Sequence, residues 1–315
     1  MLPDLPRIDL FSLANNHISD AWEVGVEGTI EALDQHKKRH FGYGRDLLEA
    51  RRPALIEHNG IRLGFLGYCC LTTNGENYAT PSKAGVCPLA FSYIETDISR
   101  LKNEVDHVIV ALHWGEEDNH YPTPDQIALA HRSIDKGASV VIGTHPHVIQ
   151  GIEPYKAGFI CYSLGNFIFS DTELESMHDG KLVRTVLRLS NCNKESLGAE
   201  FVFEKGVTKL SAIQAYKLDK YLLPNAIPLD HLETNVNKLN AKLKAYSENK
   251  SRYLKKLNEL QIAVRFEGNK YQNRYVLKPI NEYESASRLQ AFFHTLLHNL
   301  MSYGRRSFWR LNRRA

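Results

Sequence analysis

No run of apolar residues in this 315-residue sequence approaches the roughly 20 needed to cross a bilayer as a helix. The opening MLPDLPRIDL lacks the basic start and apolar stretch of a secretion signal, so the chain as written is expected in the cytosol. Cysteine is scarce: Cys69, Cys70, Cys87, Cys161 and Cys192 are odd in number and without CxxC spacing. That argues against a disulfide framework or a zinc knot and leaves reduced, buried thiols as the expectation. There is no internal repeat and no low-complexity segment. Neither sign of charge dominates, with 39 Lys+Arg against 36 Asp+Glu. At 43% hydrophobic and 24% charged, the composition is that of an ordinary globular protein rather than a disordered or membrane one.

The near-neutral total hides two regions. Residues 1–220 hold 22 Lys+Arg against 29 Asp+Glu, a net of −7, whereas residues 221–315 hold 17 against 7, a net of +10. Two regions with different surfaces are expected, divided near residue 220. In the first, residues 8–17 read as a buried strand ending in a polar turn, residues 24–39 as a helix, and residues 53–68 as two strands joined at Asn59-Gly60. Helices over 94–105 and 125–136 alternate with strands over 107–113 and 139–145, and β-rich segments follow at 159–169, 183–189 and 199–216. Alternating strands and helices followed by closely spaced strands predict an α/β fold of layered sheets. In the second region, Leu232, Val236, Leu239, Leu243, Tyr246, Tyr253, Leu257 and Leu260 keep a three-and-four spacing. It predicts one long amphipathic helix, and Leu289 to Leu300 predict another before the basic end GRRSFWRLNRRA.

Three predicted strands end on residues that ligate metals: SLANNH (12–17), VALHWG (110–115) and VIGTHPH (141–147). Carboxyl ends of strands in open α/β sheets share the edge where ligands bind. Imidazole nitrogens and amide oxygens ligate Zn, Mn, Fe and similar ions, and His145-Pro146-His147 splays two imidazoles around a proline. A histidine beside such ions can hand a proton to a leaving group, and His17, next to Asn16, has the right type. Each residue has an ordinary alternative. A lone strand-end histidine such as His113 is more often structural, and Asn15 and Asn16 are good turn formers. His131, His178, His294 and His298 are assigned to surface or packing.

The stretches ANNHISD (14–20), HWGEE (113–117), PTPDQ (122–126), IDKGASVVIGTHPHVIQGIE (134–153) and YSLGNFIFS (162–170) together resemble the bacterial capsule-synthesis CapA family. That family is associated with poly-γ-glutamate synthesis and related to the calcineurin-like metallophosphatases. The resemblance runs over about residues 8–170 and implies a four-layered α/β/β/α sandwich built on two packed sheets. It also implies divalent transition metal ions (Mn, Zn or Fe), two in a complete site. Asn16, His113 and His145 would hold one ion, His147 the other, with His17 as general acid. Glu117 matches an acidic position and is expected at the substrate. The family's Gly-Asp and Asn-Leu-Glu motifs, which would supply carboxylates, have no counterpart before Ala14; Asp4 and Asp9 are poor substitutes. The expectation is therefore an N-terminally truncated sandwich with a helical C-terminal extension. A missing upstream segment could carry a membrane anchor or signal, which would place the protein at the membrane or outside the cell.

Two classes of function follow from the sequence. One is a metal-dependent, phosphoesterase-like hydrolase in the synthesis of an anionic exopolymer, acting on the polymer or a phosphoester. The other is a non-catalytic scaffold with a degenerate metal site. Its basic tail, Arg305, Arg306, Arg310, Arg313 and Arg314 around Phe308 and Trp309, would bind a polyanion, a membrane surface or the capsule machinery. Nucleic acid is not the expected partner.

Overall fold

Strands buried on both faces are near-continuous apolar runs, and such runs form the centre of this fold. In the computed structural model, which describes residues 8–73, 77–178 and 181–248, the chain forms β1 (Leu10–Ser12), α1 (Trp22–Gln35), β2 (Arg39–Phe41), β3 (Tyr43–Gly44), α2 (Leu47–Ala50), β4 (Ala54–His58) and β5 (Ile61–Cys69). It continues with β6 (Gly85–Val86), α3 (Phe91–Leu101), β7 (His107–His113), α4 (Pro124–Lys136), β8 (Val140–Thr144), β9 (Ile152–Tyr155) and β10 (Gly158–Cys161). Then follow β11 (Thr172–His178), β12 (Lys181–Leu187), β13 (Glu195–Glu204), β14 (Val207–Leu218), β15 (Pro224–Ile227) and α5 (Val236–Glu248). These residues lie within a compact unit, Met1–Ile262. The predicted helix beyond residue 248, the one at 289–300, the basic tail and Asp4 lie outside the described residues.

A six-stranded sheet in the order β4-β5-β7-β8-β10-β9 is parallel through β5, β7, β8 and β10, with antiparallel strands at both edges. One face carries Leu66, Tyr68, Val108, Val110, Leu112, Val141 and Ile160, which pack with Ile94, Ile98 and Leu101 of α3 and Ile127, Ala130 and Ile134 of α4. The opposite face meets a second, antiparallel sheet of β13, β14 and β15, with the rings of Phe159 and Phe201 5.7 Å apart. Both the α/β class and the packing of two sheets agree with the sequence reading.

Local chemistry explains the elements that frame the site. The PTPDQ stretch starts α4 with a capping box: Gln126 N–H donates to the Thr123 hydroxyl (3.3 Å), Thr123 N–H donates to Gln126 Oε1 (2.9 Å), and Pro124 occupies the first turn. Gln126 also sits against Gly115, whose φ of +88° and lack of a side chain leave that amide room. Asn59 and Gly60, at φ +52° and +76°, make the expected turn between β4 and β5.

One sequence reading changes and two gain detail. The strand that leads to ANNH is not part of the six-stranded sheet: among the described residues β1 pairs only with β2, in parallel, over the β5 face where Phe41 meets Phe65. Segment 199–216 is a hairpin, because Gly206 takes φ +72° and reverses the chain between β13 and β14. Within the β-rich segment 159–169 the strand ends at Cys161, beyond which the backbone makes isolated bridges at Leu164 and Gly165. All five cysteines are free thiols as expected. Burial pushes the Cys161 thiol up to about 12 and Cys69 up to about 11, far from the reactive range.

Past residue 220 the chain stays attached to this core. Glu195, fully buried, accepts N–H bonds from Glu233 (2.7 Å) and Thr234 (3.0 Å), and so fixes the approach to α5. Asn240 of α5 accepts from Ile152 N–H at 2.8 Å, and Leu232, Val236, Leu239 and Leu243 are buried. The described part of the amphipathic pattern thus spends its apolar face on the domain.

Candidate metal centre

Parallel pairing aligns the carboxyl ends of β7 and β8, setting His113 opposite Thr144. The His113 imidazole is buried, with Nδ1 2.9 Å from the Thr144 hydroxyl and Nε2 2.8 Å from Asn16 Oδ1. Asn16 reaches this point from the turn after β1, so three strand ends converge although they belong to two sheets. The neighbouring Asn15 does the ordinary work of a turn residue: its side-chain oxygen accepts from His17 N–H at 2.9 Å.

Beyond Thr144 the chain turns with His145 at φ +99° and His147 at φ +60°, a left-handed conformation that costs free energy in residues carrying a Cβ. The turn brings the His145 ring 4.9 Å from that of His113 and 6.1 Å from that of His147. The HWGEE turn docks onto it, Asp118 N–H donating to Pro146 O at 2.9 Å. Ligand atoms of Glu117, His145 and His147 consequently lie within 4.8 Å of one another. Glu117, read from the sequence as a substrate contact, stands with the histidine pair. His17 is half-exposed at the rim, its Nδ1 2.8 Å from Asp20 Oδ2. Asp9 lies at the start of β1, 3.9 Å from Lys38 and remote from Asn16 along the strand.

Burial, reinforced by the other histidines' charges, depresses the His113 imidazole to about 3 and that of His145 to about 4. Both are therefore neutral near pH 7, the form that ligates a metal. Among the described residues, His145 Nδ1 is buried with no hydrogen-bond partner. An unpartnered buried nitrogen beside a carboxylate and two further imidazoles fits a divalent transition metal, which takes nitrogen and oxygen donors together.

The sign of the shift sets a pH dependence. The unfolded chain takes up protons on these histidines near pH 6.5, while the folded metal-free chain resists until about pH 3 to 4. Stability is full above pH 6.5 and is lost as pH falls below it. The urea midpoint of the metal-free protein is expected to drop between pH 7 and 5.5, with a shallower slope in His113→Gln; equal slopes would refute this assignment.

Sequence reasoning missed Thr144, Asp118, Asn193 and Asn166, although Asn166 lies inside the quoted YSLGNFIFS. Asn166 Oδ1 is 2.9 Å from His147 Nδ1, and Phe169 meets the His147 ring edge-on at 4.7 Å. No pattern in the sequence flags Asn193, which reaches the site from between β12 and β13.

The family described as bacterial capsule synthesis protein PGA_cap matches residues 5–171, more than half of the chain. The chain belongs to the PGA_cap family. That span contains Asn16, His17, His113, Glu117, His145, His147 and Asn166, whereas Asn193 falls outside it. Among PGA_cap relatives, the capsule biosynthesis protein CapA of Bacillus anthracis is 35% identical over 183 residues, 57% of this chain and 44% of that one. The PGA biosynthesis protein CapA of Bacillus subtilis (strain 168) is 34% identical over 180 residues, 56% of this chain and 46% of its own. The chain thus matches less than half the length of these curated relatives.

Proposed function

We propose that this chain works in the synthesis or trimming of an anionic capsule polymer of the poly-γ-glutamate class, by hydrolysis at a divalent-metal site. Its membership of the PGA_cap family and the printed names of its CapA relatives support the biological setting. The observation that carries the chemistry is the convergence of His113, Asn16, His145, His147 and Glu117 around a buried, unpartnered imidazole nitrogen.

In this reading His145, His147 and Glu117 hold one ion, and His113 with Asn16 holds its neighbour or shares it. Bound ions of this kind act as Lewis acids and lower the pKa of water towards neutrality. The chain's own contribution is to exclude solvent from His113 and His145, so that both stay neutral, and to keep His17 at the open rim. Asp20 accepts from His17 Nδ1–H, which leaves Nε2 to carry the proton delivered to a departing group.

The test is hydrolysis of poly-γ-glutamate and of an aryl phosphate ester by the 315-residue chain supplied with Mn²⁺ or Zn²⁺. Metal-dependent turnover that drops by roughly 100-fold or more in His17→Gln supports the reading, since general acids contribute on that order. No turnover of either substrate, or turnover unchanged by chelation, removes it.

A further inference from the structure

An imidazole ligates through whichever nitrogen lacks a proton, so a metal site must fix the tautomer of each histidine. For His147 the surroundings decide it. Asn166 Nδ2 donates to the backbone carbonyl of Asn193 at 3.0 Å. A carbonyl oxygen only accepts, so the Asn166 amide can face only one way, with Oδ1 towards His147 Nδ1 at 2.9 Å. Oδ1 also only accepts, and the proton of neutral His147 must therefore sit on Nδ1. Nε2 is left with its lone pair.

Asn193 is itself fully committed. Its Nδ2 donates to Asp118 Oδ1 (2.8 Å) and to the His147 carbonyl (3.2 Å). Its Oδ1 accepts from the Ser190 hydroxyl (2.5 Å) and the Ser190 N–H (3.3 Å). One residue thus ties the turn carrying Glu117 and Asp118 to the turn carrying His145 and His147, and holds the amide that orients the second histidine.

We propose that Asn166 and Asn193 form a positioning relay that presents His147 to a metal through Nε2, with Asn193 supplied by a segment beyond the family-matched span. The consequence for affinity rests on the metal reading given above, whereas the tautomer itself does not. Outer groups that orient a metal-binding histidine typically contribute roughly 10- to 100-fold in affinity.

Long-range ¹H–¹⁵N correlation spectra of the metal-free, full-length protein at pH 8.5 read the tautomer directly, with His147→Gln assigning the signal. The expected result is protonated Nδ1 on His147 in the wild type, retained in Asn166→Asp, which keeps an acceptor, and lost in Asn166→Leu. Mn²⁺ titration should weaken by roughly 10- to 100-fold in Asn166→Leu and much less in Asn166→Asp. Protonated Nε2 on His147 in the wild type, or a tautomer unchanged in Asn166→Leu, overturns the relay without recourse to any variant's metal content. Wild-type protein that shows the Nδ1 tautomer yet binds no Mn²⁺ supports the relay and counts against the metal reading alone.

Discussion

Loaded with Mn²⁺ or Zn²⁺ without chelator and then desalted, the 315-residue chain is expected to retain close to one ion per molecule or more, and His145→Ala with His147→Ala to retain none. Elemental mass spectrometry of the two preparations measures it. The size of the effect follows from the ligand count. Three donors, Glu117, His145 and His147, lie within 4.8 Å of one another, and the double change removes two. What remains, the exposed Glu117 carboxylate and the His113–Asn16 pair, is too few donors to keep a divalent ion through desalting. His145→Ala removes a donor whose Nδ1 makes no hydrogen bond among the described residues, whereas His147→Ala also takes the partner from Asn166 Oδ1, so the double variant is compared only after its circular dichroism matches that of the wild type. Equal metal in the two preparations would show that any bound ion sits elsewhere. Absence from both would leave this chain without a metal of its own and direct attention to the scaffold reading.

The second large effect concerns Gly143, two residues before His145. A Cβ at this position would stand 1.9 Å from the carbonyl oxygen of Tyr162 and 2.4 Å from Trp114 Nε1. Neither can yield cheaply: the first is backbone at the end of β10, and the second belongs to a buried indole that donates to that same carbonyl at 3.1 Å. Trp114 reaches across β8 only because Gly143 has no side chain. Gly143→Ala is therefore expected to cost about 3 kcal/mol or more, a large share of a typical total of roughly 5 to 15 kcal/mol. Urea unfolding of the metal-free proteins measures the loss, and a midpoint within error of the wild type would mean that β8 and β10 separate with little resistance. Because Trp114 directly follows His113, partly folded Gly143→Ala protein should also bind metal more weakly.

Where the sequence spoke clearly, one short-range physical signal was sufficient. Asn59-Gly60 can adopt the positive φ of a tight turn, Thr123 and Gln126 have the spacing of a capping box, and the apolar run 107–113 has nowhere to be but inside a sheet. The hairpin over 195–218 was harder to see, since Gly206 alone marks its turn within a long β-forming stretch. The candidate site was legible to the extent that its candidate donors sit at strand ends in recognisable stretches, as Asn16, His113, His145 and His147 do. Glu117 and His17 were visible as residue types, but their neighbours were not.

The sequence by itself determined the α/β alternation and the unpaired thiols and named the candidate donors Asn16, His113, His145 and His147, because each depends on residue type and on spacing within a few positions. Tertiary structure alone decided which donors meet. It brought Asn16 from a separate two-stranded sheet to His113, docked the Glu117 turn onto Pro146 through one backbone hydrogen bond, and carried Asn193 to the back of His147. Contacts between residues 46 or 97 positions apart leave no periodicity in the chain. They arise only when burial of the sheet faces has fixed where every strand ends.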